Sequence, residues 1–204
     1  MEFSELIKKR RACHHFVPNQ VIPDEDLKKM VEETRLTPSG YNAQPWEFII
    51  IREKKNIEKV GEIAFKQPHV SSASALIVVL GDMNIGRNVD SLLQDWVKHG
   101  YCTEEEIPVY KNSIAKVRSP EKRRQMALRN AMLACMTLIY SAENMGYATC
   151  PIMGFSQWKL EEALNIPEDR AIALLLAIGT EEKGKENERL PRKDTQDMIY
   201  WEKM

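Results

Sequence analysis

The sequence predicts an α+β or three-layer domain, and three observations carry that prediction. Helical and strand-like segments run in the order α, α, β, α, β, α, long α, β, α, β and a terminal arm, which is not a regular βα alternation. Two apolar runs, Ala75–Leu80 and Ala171–Gly179, have the length of strands, and the first reads as covered on both faces. One long segment carries apolar residues nearly all round over Ala131–Tyr140, so it must be the central post of a core or of a subunit interface. The chain of 204 residues can bury roughly 70% of the surface its unfolded form exposes, so a single domain over residues 1–204 is expected.

Taken in order, Glu2 to Arg11 reads as a helix with Phe3, Leu6 and Ile7 on one face. A second helix opens at Pro23-Asp24, a proline and an acid suited to a first turn, and turns Leu27, Met30, Val31 and Thr34 inward. It ends before Pro38, because the residue ahead of a proline resists helical geometry. Trp46 to Ile51 alternates as a strand, and Lys54 to Lys66 is a surface helix. The charged, weakly patterned stretch Ser91 to Ser119 reads as helix plus excursion, anchored by Trp96. Ser119-Pro120-Glu121 then supplies an N-cap and first turn for a helix running to Met145, about 40 Å long, stopped by Gly146. Tyr147–Ile152 is a strand, Ser156–Leu164 a short capped helix, Ala171–Gly179 a strand. The polar tail closes on Met198-Ile199-Tyr200-Trp201, which suits an arm docking on a second subunit.

Composition removes several functions. Lys plus Arg at 29 against Asp plus Glu at 30 excludes an electrostatically driven nucleic-acid binder. An apolar fraction of 43% with 29% charged residues belongs to a globular chain rather than a disordered, collagenous or coiled-coil one. No apolar stretch is long enough to span a membrane, and MEFSELIKKRR runs from amphipathic to basic, the reverse of a signal peptide. A cytoplasmic protein is expected. Cys13, Cys102, Cys135 and Cys150 show no CxxC spacing and read as free thiols packed as small hydrophobes. Cys13-His14-His15 cannot converge on one ion from adjacent positions, so no metal is expected.

Four segments could carry chemistry. Arg10 falls at helical spacing from Phe3, Leu6 and Ile7, and an arginine facing a core needs an anion. A carboxylate partner is one answer, and a ligand phosphate matched by the guanidinium fork is the other. Pro38-Ser39-Gly40-Tyr41-Asn42-Ala43-Gln44-Pro45-Trp46 is a stiff loop dense in short polar groups, either a rigid turn or the wall of a site for a planar, heteroatom-rich ligand. Cys150–Phe155 is a strand ending in Gly154, which permits close approach of the backbone to a ring. Arg189-Leu190-Pro191-Arg192-Lys193 is a basic cluster on an otherwise Glu-rich tail, by default a solvated charge run.

In this order the segments resemble the nitroreductase family of FMN-dependent oxidoreductases. The resemblance rests on the Arg10-Arg11 pair with Phe16 beyond it and on Pro38-Ser39-x-x-Asn42-x-Gln44-Pro45-Trp46. It also includes the long helix running into Ala142–Phe155 and the closing Arg-Leu-Pro-Arg-Lys. It implies a three-layer sandwich with a central, mainly antiparallel sheet, flanking helices, the long helix at a dimer interface and a C-terminal arm exchanged between subunits. It implies FMN as cofactor, held at its phosphate and ribityl chain by Arg10 and Arg11. Pro38, Ser39, Gly40 and Asn42 would reach the flavin from the opposite subunit, and Met153 and Gly154 would lie by its N5 edge. Arg189 or Arg192 would meet the phosphate, and Tyr41 could stack on an aromatic substrate or simply pack. The chemistry belongs to flavin N5: NAD(P)H delivers hydride there and an electron-poor acceptor such as a nitroaromatic or quinone removes it in ping-pong fashion. No protein nucleophile or base is required.

Two positions depart from the family pattern. Ala12 stands where members often have a serine, and His14 where they often have lysine or arginine. A histidine stabilises an anionic ring only when protonated, and its ordinary pKa is near 6.5. His69, after Pro68, reads as a surface loop histidine. Two other readings remain at this level: a specialised flavin enzyme such as a dehalogenase, an enone reductase or a flavin-degrading enzyme, and a non-catalytic flavin-binding or interaction protein.

Overall fold

The computed structural model describes residues 2–115 and 119–204; of the weakly patterned stretch Ser91–Ser119, residues 116–118 lie outside the described residues. Its centre is a four-stranded antiparallel sheet of β1 (Trp46–Ile51), β2 (Ala75–Asp82), β3 (Ala148–Ile152) and β4 (Arg170–Gly179) in the order β1-β2-β4-β3. All eight residues of β2 are buried, as a continuous apolar run requires.

Two layers of helix cover the two faces. On one side, Ile57, Val60 and Ile63 of α3 (Lys54–Ile63), Val70 of α4 (Pro68–Ser71) and Leu160 of α8 (Gln157–Leu164) meet Leu76, Val78 and Leu80 of β2 and Leu175 and Ala177 of β4. On the other, Leu27 and Met30 of α2 (Asp24–Thr34) join Ala131, Cys135, Leu138 and Ala142 of α7 (Pro120–Asn144) against Ile77, Val79, Leu174 and Leu176. Odd and even positions of β2 therefore feed different cores, which is the period-2 alternation of a strand buried on both sides. The expectation of three layers around an antiparallel sheet holds.

The long helix starts where Ser119 accepts a hydrogen bond from the Lys122 amide, with Pro120 in its first turn. It stops at Gly146, whose φ of +89° suits glycine. It lies close on β2: a Cβ on Gly81 would stand 2.6 Å from the backbone of Ala127. Its apolar circumference is divided between the core and an outer face on which Met132 and Leu133 are exposed.

Five readings change. The first helix, α1 (Phe3–Lys9), ends before Arg10, which is extended at φ −52°, ψ 129°, so Arg10 does not continue an inward stripe. Only Leu6 of α1 is buried; Phe3 and Ile7 are exposed, although Phe3 sets its ring edge-on to Tyr140. The helix after β1 ends at Ile63 rather than Lys66, because Phe65 and Lys66 adopt left-handed φ near +58°. His69 is therefore on the one-turn helix α4, not in a loop. Between β2 and α7, α5 (Val89–Lys98) and α6 (Ile107–Ala115) form two helices, and Leu93 is the fully buried anchor while Trp96 is half-buried against Tyr110. Among the described residues no helix is long and apolar enough to cross a membrane.

Candidate functional site

The last carbonyls of a helix have no partner within it, and at the end of α1 they are answered by arginines. Arg189 of the tail shares Nη2 among the carbonyl oxygens of Ile7, Lys8 and Arg10 at 2.9, 3.0 and 2.9 Å. Arg11 turns its Nη1 back to the carbonyls of Lys8 and Lys9. Arg192 donates to Leu190 O at 2.7 Å. The guanidinium of Arg10 makes no hydrogen bond or ion pair within the described residues.

The segment after α1 is then stitched to the sheet. The Cys13 amide donates to Thr149 O, Val17 to Thr180 O, and Glu182 back to His15 O, each at 2.9 Å. Asn187 donates to Ala12 O at 2.8 Å and ties the tail to the same segment. The result is a cleft of about 440 Å³, walled by Arg10, Arg11, Ala12 and His14 on one side and by Asn187, Glu188, Arg189, Leu190 and Arg192 on the other.

The charge in this cleft is not balanced by the protein. Among the described residues no carboxylate forms an ion pair with Arg10, Arg11, Arg189 or Arg192. Lost hydration and then the neighbouring Arg11, Arg192 and Arg10 push the Arg189 guanidinium below its ordinary pKa. The opposite situation exists at the other end of β4. There Arg170 meets Glu47 at 2.6 Å and Asp169 at 2.9 Å, Arg87 meets Asp82 at 2.6 Å, and both guanidinium pKa values are raised by those carboxylates. This chain therefore satisfies arginines locally where they are structural. The crowded four at the end of α1 are left for an anion, and a guanidinium fork suits phosphate.

Of the other predicted residues, Met153 and Gly154 do not line this cleft. Both are exposed, and Gly154 O accepts from Gln67 Nε2 at 2.7 Å. Two residues beyond Gln67, His69 stacks on His14, with ring centroids 5.0 Å apart and planes 25° apart. Pro38, Ser39, Gly40, Tyr41 and Asn42 are not brought to the cleft; their loop is fastened to α7 through Gly40 and the preceding Thr37. Gly40 N donates to Asn130 Oδ1 at 3.0 Å, Thr37 Oγ1 bonds Thr137 Oγ1 at 2.8 Å, and Ser39 Oγ accepts from Gln44 N at 2.9 Å. Tyr41, Asn42 and Gln44 all hold positive φ, a strained arrangement that presents the loop outward.

Cys13 and Cys150 flank the cleft but are poor nucleophiles. Burial pushes the Cys13 thiol to about 12 and the Cys150 thiol to about 11, the second against the pull of Arg10. Sequence reasoning missed Asn130, Gln67, Asn187 and the contact of His69. Asn130 had a signal, a buried amide in the apolar half of α7 that also donates to Met126 O at 2.8 Å. Gln67 and Asn187 had none.

Comparison with known proteins agrees with this architecture. Residues 7–180 match the family model described as Nitroreductase family. The Bacillus subtilis protein MhqN, provisionally named an NAD(P)H nitroreductase, is 28% identical over 98% of both chains. The solved structure of ydfN from Bacillus subtilis, provisionally named a nitroreductase, is 27% identical and superposes with a TM-score of 0.92 over 98% of both chains. Another provisionally named nitroreductase, from Exiguobacterium sibiricum and solved in complex with FMN, is 28% identical with a TM-score of 0.85, covering 98% of this chain and 97% of that one. A sheet order, a long central helix and a basic cleft built by this sequence thus coincide with matches over nearly its whole length: the chain belongs to the nitroreductase family of oxidoreductases.

Proposed function

We propose that this chain is an FMN-dependent oxidoreductase that takes hydride from NADH or NADPH and passes it, by way of flavin N5, to an electron-poor acceptor such as a nitroaromatic or a quinone, in a ping-pong cycle. The observation that supports this is the cleft at the end of α1, where four guanidinium groups crowd with no ion pair to a carboxylate among the described residues. When bound, the flavin would supply the redox chemistry, the uptake and release of hydride.

The residues of the chain bind and orient. Arg10 is the guanidinium free to take a phosphate, while Arg11, Arg189 and Arg192 add positive potential and spare donors. Ala12 offers a smooth wall where a hydroxyl would donate a bond, and His14 lies on the same wall. Met153 and Gly154 are exposed and would offer an edge against which a ring can settle.

The same reading makes the protein a homodimer. The outward loop Pro38–Asn42 does not reach the cleft of its own chain, and Ser39, Gly40 and Asn42 would complete the site of a second copy, with Tyr41 facing the acceptor. Exposed Phe3 and Ile7 of α1, Met132 and Leu133 of α7, and Ile199, Tyr200 and Trp201 of the tail supply the apolar surface that such a pairing buries. We take residues 1–204 as one flavin-binding domain acting in the cytoplasm, where the NAD(P)H pool lies and where four buried thiols stay reduced.

The test is a titration of apoprotein with FMN followed by NADH or NADPH under nitrogen. Yellow protein that bleaches with either nucleotide and recolours with a nitroaromatic or quinone is the expected result. Colour that does not bleach identifies a flavin binder without the reaction, and failure to bind FMN refutes the reading.

A further inference from the structure

His14 and His69 come from separate segments, yet their rings stack at 5.0 Å. We propose that His69 is a positioning residue for His14, and that the stacked pair takes up a proton when a phosphate-bearing mononucleotide enters the adjoining cleft. The inference rests on the flavin reading above.

The geometry makes His69 the fixed member. It sits on α4, where its neighbour Val70 is fully buried. On its other side Gln67 is anchored to Ala64 O at 2.8 Å and Gly154 O at 2.7 Å. His69 is half-buried. His14 is exposed, makes no hydrogen bond within the described residues and follows a backbone pinned at Cys13. Without the stacked ring nothing would hold its imidazole against the cleft wall.

Charge divides the roles. Burial, and then His14, lower the pKa of His69, so His69 remains neutral near pH 7 and the pair carries one proton at most. Around His14 stand Arg10 and Arg11 from the end of α1, His69 from α4, and Arg189, Arg192 and Glu188 from the tail. Glu181 faces the Cys13 thiol instead, and Lys66 ahead of α4 is paired to Glu62 at 3.3 Å. The wall that His14 shares therefore carries four guanidinium groups and one carboxylate. A phosphate dianion entering this cleft adds negative charge beside the imidazole and favours its charged form, so a proton enters with the ligand.

The test is calorimetric titration of apoprotein with FMN at pH 7 in two buffers of different ionisation enthalpy, which counts protons exchanged. At pH 7 the phosphate, whose second ionisation lies near pH 6, is already mostly dianionic and can release only about a tenth of a proton, so larger differences between variants report the pair. Relative to His14→Ala, the wild type should take up roughly half a proton or more. His69→Ala should lose most of this uptake and weaken FMN binding. His69→Phe, which keeps a stacking ring but cannot titrate, should restore both. Equal uptake in wild type and His14→Ala overturns the proposal, and so does His69→Phe behaving like His69→Ala, which would make His69 itself the proton acceptor. Wild type that binds no FMN overturns the flavin reading and this inference with it, whereas binding without uptake overturns this inference alone.

Discussion

Arg10→Ala separates a ligand-binding arginine from a structural one. In the folded chain the Arg10 side chain has no hydrogen bond or ion pair among the described residues, and three other guanidinium groups crowd the same cleft. Deleting it removes no native contact of that kind and relieves some repulsion, so apoprotein stability should move by less than about 0.5 kcal/mol. At 2–4 °C per kcal/mol for a chain of this size, that is at most about 2 °C in Tm. Binding should respond quite differently. A hydrogen bond to a charged group contributes about 1.5–3 kcal/mol, and each 1.4 kcal/mol is a factor of about ten. The cleft is open to solvent, so the lower half of that range applies, and FMN should bind about 10- to 40-fold more weakly. Fluorescence quenching of FMN titrated into apoprotein measures the affinity, and a thermal melt of the apoprotein measures the stability. The gap between wild type and variant should narrow at high ionic strength, because exposed charges are screened over a few ångströms there. An unchanged FMN affinity together with a Tm lowered by 5 °C or more would show that Arg10 is part of the fold and would refute the reasoning.

Further outcomes follow from other parts of the molecule. Arg87→Ala breaks ion pairs to Asp82 and Asp169 and should lower Tm while leaving FMN affinity unchanged, as read by the same two assays. Those pairs also hold the Asp169 carboxyl below its ordinary pKa of 3.8, so their contribution is present above that value and is lost as pH falls through the lowered one; an acid titration followed by circular dichroism should show a midpoint shifted upward in Arg87→Ala. Gly81→Ala places a Cβ 2.6 Å from the Ala127 backbone and should cost about 1–3 kcal/mol, a Tm drop of several degrees. Burial raises the thiols of Cys13 and Cys135 to about 12 and Cys150 to about 11, so a disulfide reagent at pH 8 should label the native protein slowly and all four cysteines rapidly in denaturant. Leu133→Glu, on the exposed face of α7, should leave the chain folded and, on the proposed pairing of two copies, shift its mass by light scattering from dimer to monomer.

What the sequence made legible was decided locally. The strand Trp46–Ile51 and the start of α7 at Ser119-Pro120 have their predicted bounds because alternation and capping chemistry act within a few residues. Element ends were less legible wherever a distant group decides them. Nothing near Arg10 says that the helix stops before it; Arg189, far along the chain, shares the carbonyls that a longer helix would have used. Likewise the turn at Phe65-Lys66 that converts a helix end into α4 shows no glycine to announce it. The cleft illustrates both cases. Arg10 was singled out by its spacing, and Arg11, Ala12, His14, Arg189 and Arg192 by the family resemblance; the fold brings all six together. The support of the Pro38–Asn42 loop by Asn130, and of Gly154 by Gln67, depends on register between elements that no local pattern encodes.

The position of the cleft has a physical logic of its own. Anions usually gather at helix N-termini, where amides and the dipole favour them; here the basic cleft lies at a helix C-terminus, whose carbonyls repel anions and attract cations. Those carbonyls recruit Arg11 and Arg189, and each brings a full positive charge against the partial negative charge of the helix end. The carbonyls are satisfied by a few N–H groups, while the remaining donors and the surplus charge face the cleft. Capping therefore creates the excess that an anion must neutralise, and Arg10, thrown out of the helix at the same point, is left as the donor with nothing to bond. Had α1 continued through Arg11, the Ile7 carbonyl would have been paired within the helix and the open carbonyls would have moved on by two residues, away from the place where Arg189 now meets them. The short helix and the binding cleft are thus one structural decision, made where the chain leaves helical geometry at Arg10.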